Sequence, residues 1–326
     1  MQPLEPPATA THPTDPQPSV AVLLCSFQGA QFLTEQLASI RLQTHAQWRL
    51  WVSDDGSTDG TLALLQLTQQ RWGVQRLTVL RGPGAGPMAN FMALTAHSDI
   101  DADCYAWCDQ DDVWAADKLA RATAWLRTVP TDTPALYGSR TRLIDARGRP
   151  LGCSPRFNQP PCFANALVQS MAGGNTMVFN RAARQLLMTT AAPRGAAAHG
   201  TAHDWWAYQL IAACGGRLHY DPQPSLQYRQ HGDNLVGANR SGRARWQRLR
   251  RLLDGEFSGW IDANLAALQG VRDRMPAPEQ HTLDTFARAR QQPLAQRLRG
   301  LRRSGIHRQS WLGNLGLAVA AVMKRL

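Results

Sequence analysis

An α/β fold with a mostly parallel sheet flanked by helices is predicted for residues 19–237, with a helical, basic C-terminal extension over residues 238–326. Three observations predict it. Short β-rich runs alternate with helical patterns from Val20 onward, the rhythm of strand–helix–strand units. The strand candidates Val20–Leu24 and Tyr105–Cys108 are continuously apolar, as strands covered on both faces are. Charge is also partitioned: residues 1–239 hold 18 Lys+Arg and 18 Asp+Glu, while residues 240–326 hold 17 and 6, the source of the whole net charge of +11.

Taken in order, Met1–Pro18 carries six prolines and neither the charged start nor the apolar stretch of a signal peptide, so it reads as a disordered leader. Val20–Leu24 is a strand, and Phe32–Leu42 a helix with Phe32, Leu33, Leu37 and Ile40 at near-helical spacing. Trp48–Ser53, Leu77–Leu80 and Tyr105–Cys108 are further strands, alternating with helices over Gly60–Arg71, Met88–Ala96 and Asp117–Leu126. Beyond Pro134 the rhythm loosens. Ala135–Arg140, Thr176–Phe179 and Leu226–Arg229 read as strands, Arg181–Thr190 and Asp204–Cys214 as helices. The longest apolar run, Trp311–Met323, is too short to span a bilayer. Six scattered cysteines, with Cys104 and Cys108 on one side of a strand and no ligands to complete a zinc site, predict reduced thiols and a cytoplasmic protein. Lys118 and Lys324 are the only lysines, a bias read as genomic composition.

The chemistry concentrates where strands end, which is where open parallel sheets bind ligands. Asp109, Asp111 and Asp112 crowd the end of the Tyr105–Cys108 strand. Such carboxylates repel one another unless a cation joins them, and Mg²⁺ or Mn²⁺ takes oxygen ligands. The alternative is an acidic loop capping the next helix. Asp54-Asp55-Gly56-Ser57-Thr58-Asp59-Gly60 follows another strand. Its tail suits a helix-capping turn, while the paired acids suit hydrogen bonds from a base N–H or ribose hydroxyls. Gly82–Gly86 lacks the ending and spacing of phosphate loops and reads as a flexible loop.

These motifs carry a resemblance. Cys25-Ser26-Phe27-Gln28-Gly29, Gln36–Thr44 and Asp54–Thr61 look like the start of family-2 glycosyltransferases, and Asp109-Gln110-Asp111-Asp112-Val113-Trp114 resembles their DxD element. Gly173-Gly174-Asn175-Thr176, His203-Asp204-Trp205-Trp206 and Tyr228-Arg229-Gln230-His231-Gly232 resemble the branch containing bacterial rhamnosyltransferase-like enzymes of surface-polysaccharide assembly. The resemblance implies a GT-A-type, Rossmann-like sheet and inverting transfer from a nucleoside-diphosphate sugar to a glycan or lipid-linked acceptor. Ser26, Phe27, Asp54, Asp55, Asn90 and Asp109 then belong to the nucleotide, with Phe27 stacking on the base. Asp111 is the implied ligand of Mn²⁺ or Mg²⁺, joined by His231, and Asp204 the general base. Asp112, Gly174, Asn175, His203, Trp205 and Arg229 fall to the sugar or acceptor, Trp205 and Trp206 being divided between core and platform.

The extension carries Arg243, Arg245, Arg248, Arg250 and Arg251, then Arg297, Arg299, Arg302 and Arg303. Either these form a solvated helical face or they lie on an anionic membrane surface, where each contributes about 1 kcal/mol. The second reading makes the protein peripheral on the cytoplasmic face of the inner membrane. Nucleic acid is not the expected partner, because no nucleic-acid-binding motif accompanies the arginines. A sugar-phosphate nucleotidyltransferase is the rival enzyme class, since it needs the same carboxylates and metal.

Overall fold

The computed structural model describes residues 17–189, 203–231 and 256–326. Most of the Pro-rich leader and the Arg243–Arg251 cluster lie outside the described residues.

Strands β1 (Val20–Ser26), β2 (Trp48–Asp54), β3 (Leu77–Arg81) and β4 (Cys104–Cys108) alternate with helices α1 (Ala30–Arg41), α2 (Thr61–Trp72) and α3 (Pro87–Ala96). They form one side of a seven-stranded sheet in the order β3-β2-β1-β4, all parallel. Three strands complete it: β6 (Ala135–Ser139), β9 (Val178–Asn180) and β10 (Arg217–Asp221). β9 runs antiparallel between β4 and β6, and β10 pairs parallel with β6. The strand order reverses beside β1, and the crevice at the carboxyl ends of β1 and β4 is therefore the ligand position this topology favours.

Period-2 alternation explains why β1 is apolar throughout. Val20, Val22 and Leu24 enter one core with Leu33, Leu37 and Ile40 of α1, while Ala21, Leu23 and Cys25 enter the other. Helices α1, α2 and α4 (Lys118–Leu126) cover the first face; α3, α6 (Arg181–Thr189) and α7 (His203–Ala213) cover the second. Each large side chain buried in these layers stabilises the fold by about 1.5–3 kcal/mol relative to exposure.

A second sheet has the order β5-β11-β7-β8, from Val113–Trp114, Leu226–Gln230, Arg142–Asp145 and Pro150–Cys153. The two-residue β5 directly follows the acidic cluster and pairs antiparallel with β11. That pairing delivers Arg229 and His231 to the carboxylates from more than a hundred residues away.

The C-terminal helices are not a detached basic arm. In α8 (Glu256–Gln269), Ile261, Leu265 and Leu268 recur at i, i+4 and i+7, and they join the core that holds Trp206. Helices α9 (Ala277–Gln291), α10 (Leu294–Arg303) and α11 (Trp311–Val322) add Leu283, Phe286, Leu301 and Leu317 to it. Arg297 departs from the solvated face expected of it. It is buried, and its guanidinium donates to the carbonyls of Gln292 (2.9 and 3.1 Å) and Ala321 (2.6 Å), tying α10 to the last turn of α11. Among the described residues, no helix is long and apolar enough to cross a membrane.

Candidate active site

The end of β2 organises itself through Asp54. Its carboxylate accepts hydrogen bonds from the Ser26 and Ser57 hydroxyls (2.8 and 2.6 Å) and from the Gly56 and Ser57 N–H groups (3.2 and 2.8 Å). Asp54 and Ser26 are both buried. Both side chains are engaged within the protein, where they fix the loop that aims Asp55 and Phe27. Asp55 accepts from the N–H of Gly84 (2.7 Å) and Gly86 (2.9 Å). The glycine-rich loop thus wraps its N–H groups around a protein carboxylate and is held by it, contrary to the free loop expected. Asn90 is likewise buried, bonded to the Ser53 hydroxyl (2.5 Å) and carbonyl (3.0 Å), so it joins α3 to β2.

Phe27 is different: its ring stands 55% exposed at the tip of β1. Its backbone is gripped by Gln110, whose Oε1 accepts from the Phe27 N–H and whose Nε2 donates to the Phe27 carbonyl, each at 2.9 Å. A Cβ at Gly29 would lie 2.1 Å from that Oε1, so the absence of a side chain there lets the amide approach. This clamp ties the aromatic to the acidic loop. Gln110 was missed as a functional residue, although it stands between two acids that were not.

The carboxylate oxygens of Asp109, Asp111 and Asp112 offer ligand atoms within 4.8 Å of one another. His231 Nε2 lies 2.7 Å from Asp111 Oδ2, and its ring packs 5.1 Å from Phe32. Asp112 is fully buried, accepting from Asn175 Nδ2 (2.5 Å) and the Arg229 N–H (3.3 Å). Burial and the neighbouring charges of Asp111 hold the carboxyls of Asp109 and Asp112 well above the usual range. Crowding of this kind is relieved by a cation, and three carboxylates with one imidazole suit Mn²⁺ or Mg²⁺. The residues present therefore fit the expected metal.

Beneath the cluster sits Lys118, fully buried, its ammonium 3.8 Å from the Trp114 ring centroid and hydrogen-bonded to the Asn175 carbonyl. Burial brings its pKa down to about 7 against the opposing pull of Cys108, Asp112 and Asp109. The signal for this residue was in plain view: one of two lysines in a chain that otherwise uses arginine, six positions after Asp112.

Arg229 was expected at the sugar. It is buried, its Nε donates to the Asp111 carbonyl at 3.0 Å, and its guanidinium pairs with Glu35 and lies 4.8 Å from the Phe32 ring centroid. It braces the acidic loop from behind. Trp205 and Trp206 are both buried as well. Trp205 donates its indole N–H to the Ala166 carbonyl (2.7 Å) and stacks on Phe257, so it serves the core and offers no platform.

Asp204 opens α7, where the helix N-terminus favours an anion. Its carboxylate accepts from the N–H of Trp205 (2.6 Å) and from the Gly174 backbone, and burial still pushes its pKa up to about 6. The charge of Asp204 also contributes to raising Asp109, which places the two acids in one field. His203 beside it is sandwiched, stacked on Phe91 (4.0 Å) with its edge to Trp107 (4.7 Å), and burial lowers it to about 3, a neutral imidazole. Its Nε2 is buried without a hydrogen-bond partner among the described residues. A Cβ on Gly174 would lie 2.2 Å from that nitrogen, so only glycine leaves room for it.

Asp109, Asp111, Asp112, His231 and Asp204 thus gather beside the topological switch point, with Phe27 tied to them through Gln110. Residues 21–142 match the sequence model of Glycosyl transferase family 2. Those residues carry a family-2 glycosyltransferase domain. Over 236 residues this glycosyltransferase is 26% identical to the dTDP-rhamnosyl transferase RfbG of Shigella flexneri, covering 69% of this chain and 78% of that protein. It is 31% identical over 101 residues to WfgD of Escherichia coli, a UDP-Glc:alpha-D-GlcNAc-diphosphoundecaprenol beta-1,3-glucosyltransferase, over 31% of this chain and 38% of the other. Among solved structures, the mannosyltransferase PcManGT of Pyrobaculum calidifontis, in complex with GDP-Man and Mn²⁺, superposes with a TM-score of 0.53 at 18% identity, covering 98% and 90% of the two chains. TarS of S. aureus in complex with UDP-GlcNAc gives 0.52 at 14% identity over 89% and 93%. Both share the GT-A-type fold.

Proposed function

We propose that this glycosyltransferase moves a sugar from a nucleoside diphosphate to a glycan or lipid-linked hydroxyl, with a divalent cation at Asp109, Asp111 and Asp112 and inversion at the anomeric carbon. The observation that carries the reading is the convergence of those three carboxylates and His231 at the ends of β4 and β11, in the same field as Asp204. Asp109, Asp111, Asp112 and His231 would hold the cation, which would supply positive charge against the diphosphate leaving group. Phe27 offers a face for the base. Asp204, ionised above pH 6, takes the proton of the acceptor hydroxyl as its oxygen attacks the anomeric carbon. One displacement with one base leaves the configuration inverted.

The similarity to a relative named as a dTDP-rhamnosyl transferase supports rhamnose and a thymidine nucleotide as the donor. The diphosphoundecaprenol in the name of another supports a lipid-linked acceptor. Product analysis tests the reaction class. Incubated with dTDP-rhamnose or UDP-glucose and Mn²⁺, the protein is expected to release the nucleoside diphosphate. A nucleotidyltransferase would instead form pyrophosphate from a nucleoside triphosphate and a sugar 1-phosphate, and that outcome would reject glycosyl transfer.

A further inference from the structure

Helix α11 carries one polar side chain, Asn314, which is bonded to the Arg308 backbone. Capped by the Ser310 hydroxyl, which accepts from the Gly313 N–H at 3.0 Å, it turns Leu317, Ala320 and Ala321 into the core. On its other side Trp311 (72% exposed), Leu312 (63%), Leu315, Val319 and Val322 face outward. Five large apolar side chains then share one stripe about 100° wide, opposite the buried one. Leu294 and Leu298 of α10 are exposed in addition. Soluble surfaces rarely keep such a run uncovered.

What covers it is indicated by charge. From residue 285 to residue 326 the chain has nine Lys or Arg and no Asp or Glu. Arg299, Arg302 and Arg303 of α10 are exposed, as are Lys324 and Arg325 just past α11. A second copy is a poor occupant, because a two-fold contact through this face would bring the same arginines against each other. Nucleic acid would meet the arginines and leave the apolar stripe bare. An anionic bilayer satisfies both, its acyl boundary taking the stripe and its headgroups the cations. With 12 residues, α11 lies in such a surface and does not span it.

We propose that the exposed face of α11, with the Arg299–Arg303 and Lys324–Arg325 cations, docks this protein on an anionic lipid bilayer. The proposal does not depend on which sugar is moved. Vesicles of phosphatidylcholine, alone or mixed with phosphatidylglycerol, are floated with the full chain and two double variants, Leu312→Asn/Leu315→Asn and Arg302→Gln/Arg303→Gln. All four positions are exposed, so both variants keep the fold, which circular dichroism verifies. The full chain is expected to float with the mixed vesicles and to stay behind with phosphatidylcholine alone. Each variant should bind at least about tenfold more weakly. Brominated lipid should quench Trp311, and Trp311→Phe should remove that part of the quenching. Failure to float, binding indifferent to the leucine variant, or self-association that this variant abolishes without any vesicle binding would overturn the proposal.

Discussion

Asp111→Asn is expected to reduce sugar transfer at least about a hundredfold while leaving the fold intact. Asp111 is partly exposed, and among its side-chain contacts is His231, so the amide fits without a cavity. The charge it removes raises the carboxyls of both Asp109 and Asp112, so the metal-free variant should be at least as stable as the parent. Addition of Mn²⁺ separates the two effects. A ligand that binds only the folded state raises stability by about 2.7 kcal/mol at a hundred times its Kd, and Asp111→Asn should lose that increment along with activity. Thermal melts with and without Mn²⁺ measure it. A variant that still gains stability from Mn²⁺ and still transfers sugar would remove Asp111 from the metal site.

Asp204→Asn is expected to bind donor as the parent does and to lose transfer by about 10²–10⁴-fold, the range of a general base. The pH profile gives an independent reading of the same group. Burial holds the Asp204 carboxyl up at about 6, so the base is protonated below that pH. Transfer under subsaturating acceptor should therefore fall roughly tenfold for each pH unit below 6 and level off above it. In Asp204→Asn that acid limb should vanish from whatever activity remains. Donor binding that collapses in the variant, or an acid limb that survives it, would assign the base elsewhere.

The parts of this enzyme that could be read from its sequence share a physical property: they are local and doubly buried. Val20–Ser26 and Cys104–Cys108 are buried along their whole length, so their composition alone marked them as central strands. The acids at their ends were equally visible. The second sheet was not, beyond Leu226–Arg229. β8 is exposed throughout and β5 has two residues, so neither has a periodicity to detect. Yet β5 pairing with β11 is what brings His231 to Asp111.

Side-chain roles were legible only where geometry left no choice. Asp54 and Asp55 look equivalent as neighbours, but a strand reverses face at each residue. One carboxylate therefore turns inward to Ser26 and Ser57 and the other outward to the Gly84 and Gly86 N–H groups. Helix α7 is buried on nearly every side, which leaves no amphipathic contrast to show that both tryptophans belong to the core. Lys118 escaped notice because a fully buried ammonium is improbable until the three carboxylates above it are seen in place.

The central claim is a metal-dependent nucleoside-diphosphate site at Asp109, Asp111 and Asp112. Calorimetric titration of the full chain with dTDP and with UDP, each in the presence and absence of Mn²⁺, tests it most directly. Binding that requires Mn²⁺ and disappears in Asp111→Asn is the predicted result, with dTDP preferred if the donor carries thymidine. Nucleotide binding of equal strength without Mn²⁺ and with Asp111→Asn would contradict the account.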